Sequence, residues 1–241
     1  MPDPASVQLA ATEIVALDLL IVGLLNNAGI LQMRPSKNVW GWDMTFATNH
    51  LGPFALTEAL IPNLPDGANV VFVVSGVEDP ERKAAKMAGF RGGRYISAEA
   101  SARGEWETGG SKMPGERRLF HVQAMHPRRS NGVRPRDTAL TFQCAGTGLY
   151  SEHRTRTGGQ CLPAFLGELP SSLLAPHIKY WSTPKKASRV SAEVLINASG
   201  QTGIYYDENA HPMLGYSPVR DTEFQDRVVA ETRALLSTIQ A

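Results

Sequence analysis

Three short stretches carry side chains that could do chemistry at one place. Asn26-Asn27-Ala28-Gly29 closes an apolar run, Asn49 lies inside a helical pattern, and Ser75 follows a second apolar run from Asn69 to Val74. A small, flexible Asn-Ala-Gly lets the backbone approach a ligand closely. A serine leaving a strand could present its hydroxyl to that ligand, but it is also a common turn or cap residue. Asn49 could have a functional role, and it could equally satisfy a carbonyl freed by a kink at Pro53. The residues alone leave both pairs of readings open.

The elements that would position these groups form a βαβ unit. Asp18 to Asn27 is mostly Leu, Ile and Val, the composition of a strand buried on both faces. It is long for a strand, so Val22-Gly23-Leu24-Leu25 reads as an insertion. Trp42 to Leu64 places Phe46, Leu51, Phe54, Leu56, Leu60 and Ile61 at helical spacing, with a kink expected at Pro53. Pro65-Asp66-Gly67 is a turn, and Asn69 to Val74 is the second strand. A crossover helix returns the chain so that the two strands run parallel. Ligands of such sheets bind beyond the carboxyl ends of the strands, which is where Asn27 and Ser75 would lie.

The 241 residues are 42% hydrophobic, enough for one α/β domain with a core, and the formal net charge of +1 does not call for nucleic acid or an anionic membrane. Cys144 and Cys161 do not make a disulfide framework. The longest apolar run, Ile14 to Leu25, is interrupted by Asp18 and Gly23 and is too short to span a bilayer. Met1-Pro2-Asp3-Pro4 lacks the basic stretch of a signal peptide. The expectation is a soluble, cytoplasmic protein.

Asn26-Asn27-Ala28-Gly29, Thr48-Asn49-His50-Leu51-Gly52-Pro53-Phe54 and Val70-Val71-Phe72-Val73-Val74-Ser75-Gly76 together resemble the short-chain dehydrogenase/reductase family, in its retinol-dehydrogenase-like branch. The three motifs come in that family's order and spacing. The resemblance implies a Rossmann-like α/β fold, NAD or NADP as cofactor, and an alcohol/carbonyl pair as substrate. It implies that Ser75 orients the substrate carbonyl and that Asn49 helps hold a water in the proton relay. It further implies that Asp3, capping a helix from Pro4 to about Ala16, contacts the adenine ring, and that Asn27, Ala28 and Gly29 line the cofactor. The family's first three strands and its glycine-rich loop have no counterpart ahead of Asp3. The fold expected is therefore a partial, doubly wound parallel sheet in a single incomplete domain over 1–241.

The family pattern covers Asp3 to Gly110 and Leu162 to the end. Glu78 to Gly115 is polar and glycine-rich, helical at best around Ser97 to Arg103. Tyr95-Ile96-Ser97-Ala98-Glu99-Ala100 resembles the family's insertion before its catalytic Tyr-x-x-x-Lys, yet that motif does not follow. From Glu116 to about Gly158 the chain is rich in arginine, including Arg117, Arg118, Arg128, Arg129, Arg134, Arg136, Arg154 and Arg156, without lysine and without a sustained period. Aromatic residues for stacking nucleic acid are few, and His121, His126, His153, Cys144 and Cys161 lack metal-ligand spacing. No metal site is expected. Another reading is translation out of frame: with suitable codons, a one-base shift over Arg118 to Ala124 reads Ala-Tyr-Ser-Thr-Ser-Lys. The same shift over Cys144 to Tyr150 reads Ala-Leu-Glu-Pro-Gly-Phe, the family's turn after its sixth strand. Tyr150-Ser151-Glu152-His153-Arg154 has the tyrosine spacing but arginine in place of lysine.

An irregular 116–158 segment is thus expected in place of the catalytic helix and sixth strand, leaving the edge of Asn69 to Val74 uncovered and disrupting the helix through which the family forms homo-oligomers. Beyond it, short helices are expected over Ala164 to Trp181, a helix from Thr183-Pro184 to Ala198, a strand over Gln201 to Tyr206 and a closing helix from Asp221 to Ile239. The sequence points to an NAD(P)-dependent oxidoreductase that is impaired or inactive, with a non-catalytic binding or scaffold protein as the alternative.

Overall fold

The computed structural model describes residues 3–30, 32, 34–75, 79–88, 91–92, 95–105, 136–142, 184–197 and 203–239. The helices expected over Ala164 to Trp181 and the Tyr150 to Arg154 motif lie outside the described residues.

Helix α1 (Pro4–Ala16) begins as its sequence dictates, with proline in the first turn and Asp3 Oδ1 accepting from Ala5 N at 3.2 Å. Val7 and Ala11, four residues apart, are its buried face. Asp18, with φ 51°, turns the chain out of the helix. Strand β1 is confined to Gly23–Asn26, shorter than the Asp18 to Asn27 run. The reason lies in its partner: β2 (Asn69–Ser75) starts at Asn69, which pairs with Gly23, and its amide reaches back only to Val22 O. Leu19 and Leu20 precede the ladder and are exposed.

The Trp42 to Leu64 pattern becomes one helical stretch of four parts. Helix α2 (Met44–Phe46) is capped by Asp43, whose Oδ1 accepts from Phe46 N at 2.9 Å. A π-turn over Ala47–Leu51 follows, then α3 (Gly52–Leu60) and a 3₁₀ turn over Ile61–Asn63. The amide of Gly52 bonds to Ala47 O, five residues back. Pro53 has no amide to give and its ring crowds the preceding turn, so the helix widens before it and stays continuous.

β1 and β2 are parallel neighbours, as the crossover requires. Alternate residues of β2 feed both sides of the sheet. Val70, Phe72 and Val74 pack with Phe54, Ile61 and Leu64, while Val71 packs with Val190, Val194 and Tyr206.

Strand β3 (Arg136–Phe142) overturns the expectation that Glu116 to Gly158 leaves β2 uncovered. It pairs in parallel with β2 along its whole length, from Asn69↔Arg136 to Ser75↔Phe142. Thr138-Ala139-Leu140-Thr141-Phe142 is rich in strand formers, and the open backbone groups of β2 supply the partner. The apolar face of α2 and the π-turn is likewise covered. Phe46, Ala47 and Leu51 pack with Ala98 and Ala102 of a short helix and with Leu235 and Leu236 near the chain's end.

The polar excursion after β2 contains α4 (Lys83–Ala88), which the sequence did not suggest, and α5 (Ala98–Arg103), which it did, capped by Ser97. Helix α6 (Pro184–Ile196) ends two residues before Ala198. Asn69 holds its last turn, donating from Nδ2 to Val194 O at 2.9 Å and Leu195 O at 3.0 Å. Strand β4 (Ile204–Tyr206) is shorter than expected and pairs in parallel with β3. A two-residue strand β5 (Pro212–Met213), not expected, turns back antiparallel to it. Helix α7 (Thr222–Ser237) closes the chain with Asp221 as cap.

The sheet order is β1-β2-β3-β4-β5. Helix α6 covers one face; α3 and α7 cover the other, with α1 against α3. A bidentate pair, Arg233 to Glu58 at 2.9 and 3.0 Å, ties α7 to α3 at the surface. The Rossmann-like α/β class is therefore present as a small, mainly parallel sheet.

Candidate functional site

The carboxyl end of the sheet gathers most of the candidate residues. Asn26 of β1 is level with Phe72, so β2 runs three residues further to Ser75 while the chain after β1 turns away through Asn27, Ala28 and Gly29. Those three residues are exposed.

Asn49 sits in the π-turn and is buried. Its Oδ1 accepts from Ile30 N and its Nδ2 donates to Ile30 O, both at 2.8 Å. One carboxamide thus satisfies both backbone groups of a loop residue, as a neighbouring strand would. Gly29 makes this approach possible, because a Cβ there would lie 3.3 Å from Asn49 Oδ1. The bond to Ile30 rather than to a carbonyl of its own helix decides against the kink-satisfying role of Asn49. The π-turn itself places the side chain: one extra residue per turn swings Asn49 toward the loop after β1. Below it, Asn26 Nδ2 donates to Thr57 Oγ1 at 3.1 Å, a buried bond that fixes the end of β1 to α3.

We expect Asn49→Leu, which keeps the volume and removes both bonds, to destabilise the fold by about 2–3 kcal/mol, since the Ile30 amide and carbonyl lose their partners. Hydrogen exchange at the Ile30 amide should accelerate strongly while the β2 amides keep their protection. Unchanged protection at Ile30 would show that Asn49 does not hold the loop.

Asp3 is engaged elsewhere. Its Oδ1 also accepts from Trp40 Nε1 at 3.2 Å, which pins the tip of the Asn38 to Trp42 turn against the start of α1. The structure therefore brings Asn27, Ala28, Gly29 and Asn49 together, sets Ser75 at the same sheet end by register, and leaves Asp3 on the flank.

Tyr95 is the described tyrosine that stands closest in sequence to the expected general base. Its hydroxyl donates to Glu231 Oε2 at 2.6 Å, and the same oxygen accepts from Ala98 N at 3.0 Å. Burial, and then the Glu231 carboxylate that holds its proton, push the phenol well above its ordinary range, against a smaller opposing effect of Arg227. The Arg227 guanidinium lies over its ring at 5.4 Å. This arrangement anchors the start of α5 to α7 and does not offer a proton for transfer. Sequence reasoning missed it, since Glu231 lies 136 positions away. Among the described residues no group of three His, Cys, Asp or Glu could hold a metal ion, and no helix is long and apolar enough to cross a membrane.

No family model matches the chain. It is 34% identical over 68 residues to retinol dehydrogenase 11 of Mus musculus, a match covering 28% of this chain and 22% of that protein. Among solved structures, an uncharacterised protein from Mycobacterium paratuberculosis superposes with a TM-score of 0.59 at 18% identity, over 98% of this chain and 73% of the other. A short chain dehydrogenase from Salmonella enterica serovar Typhi gives 0.50 at 18% identity, over 86% and 70%. A protein from Shigella flexneri 2a, described as a short chain dehydrogenase complexed with NADP, gives 0.50 at 19% identity over the same shares.

Proposed function

We propose, for a chain that is related to the short-chain dehydrogenase/reductase family, the scaffold of an NAD(P)-dependent oxidoreductase of alcohol/carbonyl pairs that is impaired in hydride transfer as these 241 residues stand. The observation that carries the reading is the clamp of Asn49 on Ile30 beside the exposed Asn27-Ala28-Gly29 backbone, at the sheet end where Ser75 leaves β2. In this reading Ser75 orients a substrate carbonyl and Asn49 keeps the loop, and a water beside it, in place.

The same residues fit a dinucleotide only at its edge. Asn27 to Gly29 offer backbone to one side of it, and Asp3 keeps its Oδ2 for another donor. The sequence contains no Gly-x-x-x-Gly-x-Gly to receive the pyrophosphate on a helix N-terminus. Nor does any of the six tyrosines precede a lysine by four positions, and a serine hydroxyl is too weak an acid to replace a phenol in general acid catalysis. The domain is read as a single unit, with 3–110 and 162–241 family-like and 116–158 divergent, in a cytoplasmic setting. A purely non-catalytic scaffold gains no support from relatives described as dehydrogenases.

The test is turnover. The purified chain, given NADH or NADPH with small aldehydes, ketones and retinal, should leave the absorbance of the reduced nicotinamide unchanged. Oxidation of the nicotinamide that vanishes in Ser75→Ala would overturn the impairment and establish an active enzyme.

A further inference from the structure

The segment after β2 and the turn after β4 meet across a third strand. Residues 79–88 follow β2, and Asp207 to Ala210 follow β4. Strand β3 lies between those two strands, with neighbours spaced by roughly 4.8 Å. A direct contact between the two segments therefore spans the carboxyl end of β3. Arg82 makes that contact. Its Nη2 lies 3.8 Å from Glu208 Oε2, with both side chains 18% exposed, and its Nη1 donates to Met213 Sδ of β5 at 3.5 Å.

Both sides of the contact are braced by their own backbone. Asp79 Oδ1 accepts from Glu81 N at 2.9 Å and Asp79 O accepts from Arg82 N at 3.1 Å, a tight turn that sets the direction of Arg82. Ala85, one helical turn on, is fully buried and anchors α4. Opposite, Asp207 Oδ1 accepts from Asn209 N at 2.8 Å and His211 N at 2.9 Å, so Glu208 projects from a closed turn. Lys186 of α6 donates to Asn209 Oδ1 at 2.9 Å and steadies the same turn. Against this, the ion pair itself is long, and Glu208 Oε2 is buried without a hydrogen bond, which makes it the weak point between two rigid ends.

We propose that residues 79–88 form a strap, latched through Arg82 to Glu208 and Met213 across the carboxyl end of β3, that limits access to the sheet edge at Ser75 and opens when the ion pair is broken. The strap stands apart from the oxidoreductase reading, since it concerns entry to the edge whatever binds there. Arginine suits the role: its long, forked side chain reaches the carboxylate and the thioether at once. Salt acts on such a pair by screening.

The experiment places a thiol at the edge with Ser75→Cys in the full chain and follows maleimide labelling of that peptide by mass spectrometry, which separates it from Cys144 and Cys161. Adding Arg82→Met or Glu208→Gln should each raise the labelling rate about fivefold, the upper range for a partly exposed pair. The two together should add nothing further. Raising salt with the strap unmutated should have the same direction, which guards against a variant that merely misfolds. Lys86→Met removes the exposed Lys86 to Glu81 pair within the same segment and should leave the rate unchanged. Labelling indifferent to salt and to both latch variants, or moved as much by Lys86→Met, would overturn the strap.

Discussion

Phe46→Ala is expected to destabilise the protein by about 3–5 kcal/mol, the range for removing a buried aromatic ring from a packed core. Phe46 is fully buried where α2, α5 and α7 meet. Its ring stacks on His50 at a centroid distance of 4.8 Å and an interplanar angle of 17°. His50 in turn lies 2.9 Å through Nε2 from Thr232 Oγ1 of α7. The Thr232 hydroxyl gives its proton to Val228 O at 2.7 Å, so it accepts from the imidazole, which carries its proton on Nε2. Truncating Phe46 therefore opens a void and also unseats the side chain that joins the central helix to the closing one. Against a typical total stability of about 5–15 kcal/mol, the loss should shift the urea midpoint far to lower concentration and expose α5 with α7. A midpoint within experimental scatter of the parent would mean that this junction does not hold the fold.

The βαβ unit was legible because its signals are local. Proline after Asp3, apolar runs at the right separation, and helical spacing across Pro53 each act within a few residues, and α1, β2 and the closing helix follow from them. The lengths of β1 and β4 were not, because a strand ends where its partner ends, and Asn69 sets that limit for β1 from 46 positions away. The irregular reading of Arg136 to Phe142 failed for a related reason. Its arginine-rich flank has no period, while Thr138 to Phe142 is a short strand former whose fate is decided by the open edge of β2. The π-turn lay hidden in an ordinary helical pattern, although Pro53 was its visible cause. At the site, Asn27 to Gly29 and Ser75 could be placed at one sheet end from spacing, whereas Asn49 came to the site only through the family resemblance. The partner of Asn49 could not, since Ile30 is an apolar residue that contributes only its backbone. Arg82 and Glu208 lie far apart in sequence, and only the strand order brings them together.

The central claim is that this chain keeps the edge of an oxidoreductase site without the seat for a dinucleotide. Calorimetric titration of the purified 241-residue protein with NADPH, and separately with NADH, tests it most directly. On the proposed reading, Asn27 to Gly29 and Asp3 would meet only the margin of such a ligand, and the sequence offers no Gly-x-x-x-Gly-x-Gly for its pyrophosphate, where helix dipole and amide donors would supply most of the affinity. We predict no saturable heat up to about millimolar cofactor, an affinity weaker than roughly −4 kcal/mol. A single-site isotherm at about micromolar Kd, lost on Asn49→Leu, would contradict the account and place a complete cofactor site in this chain.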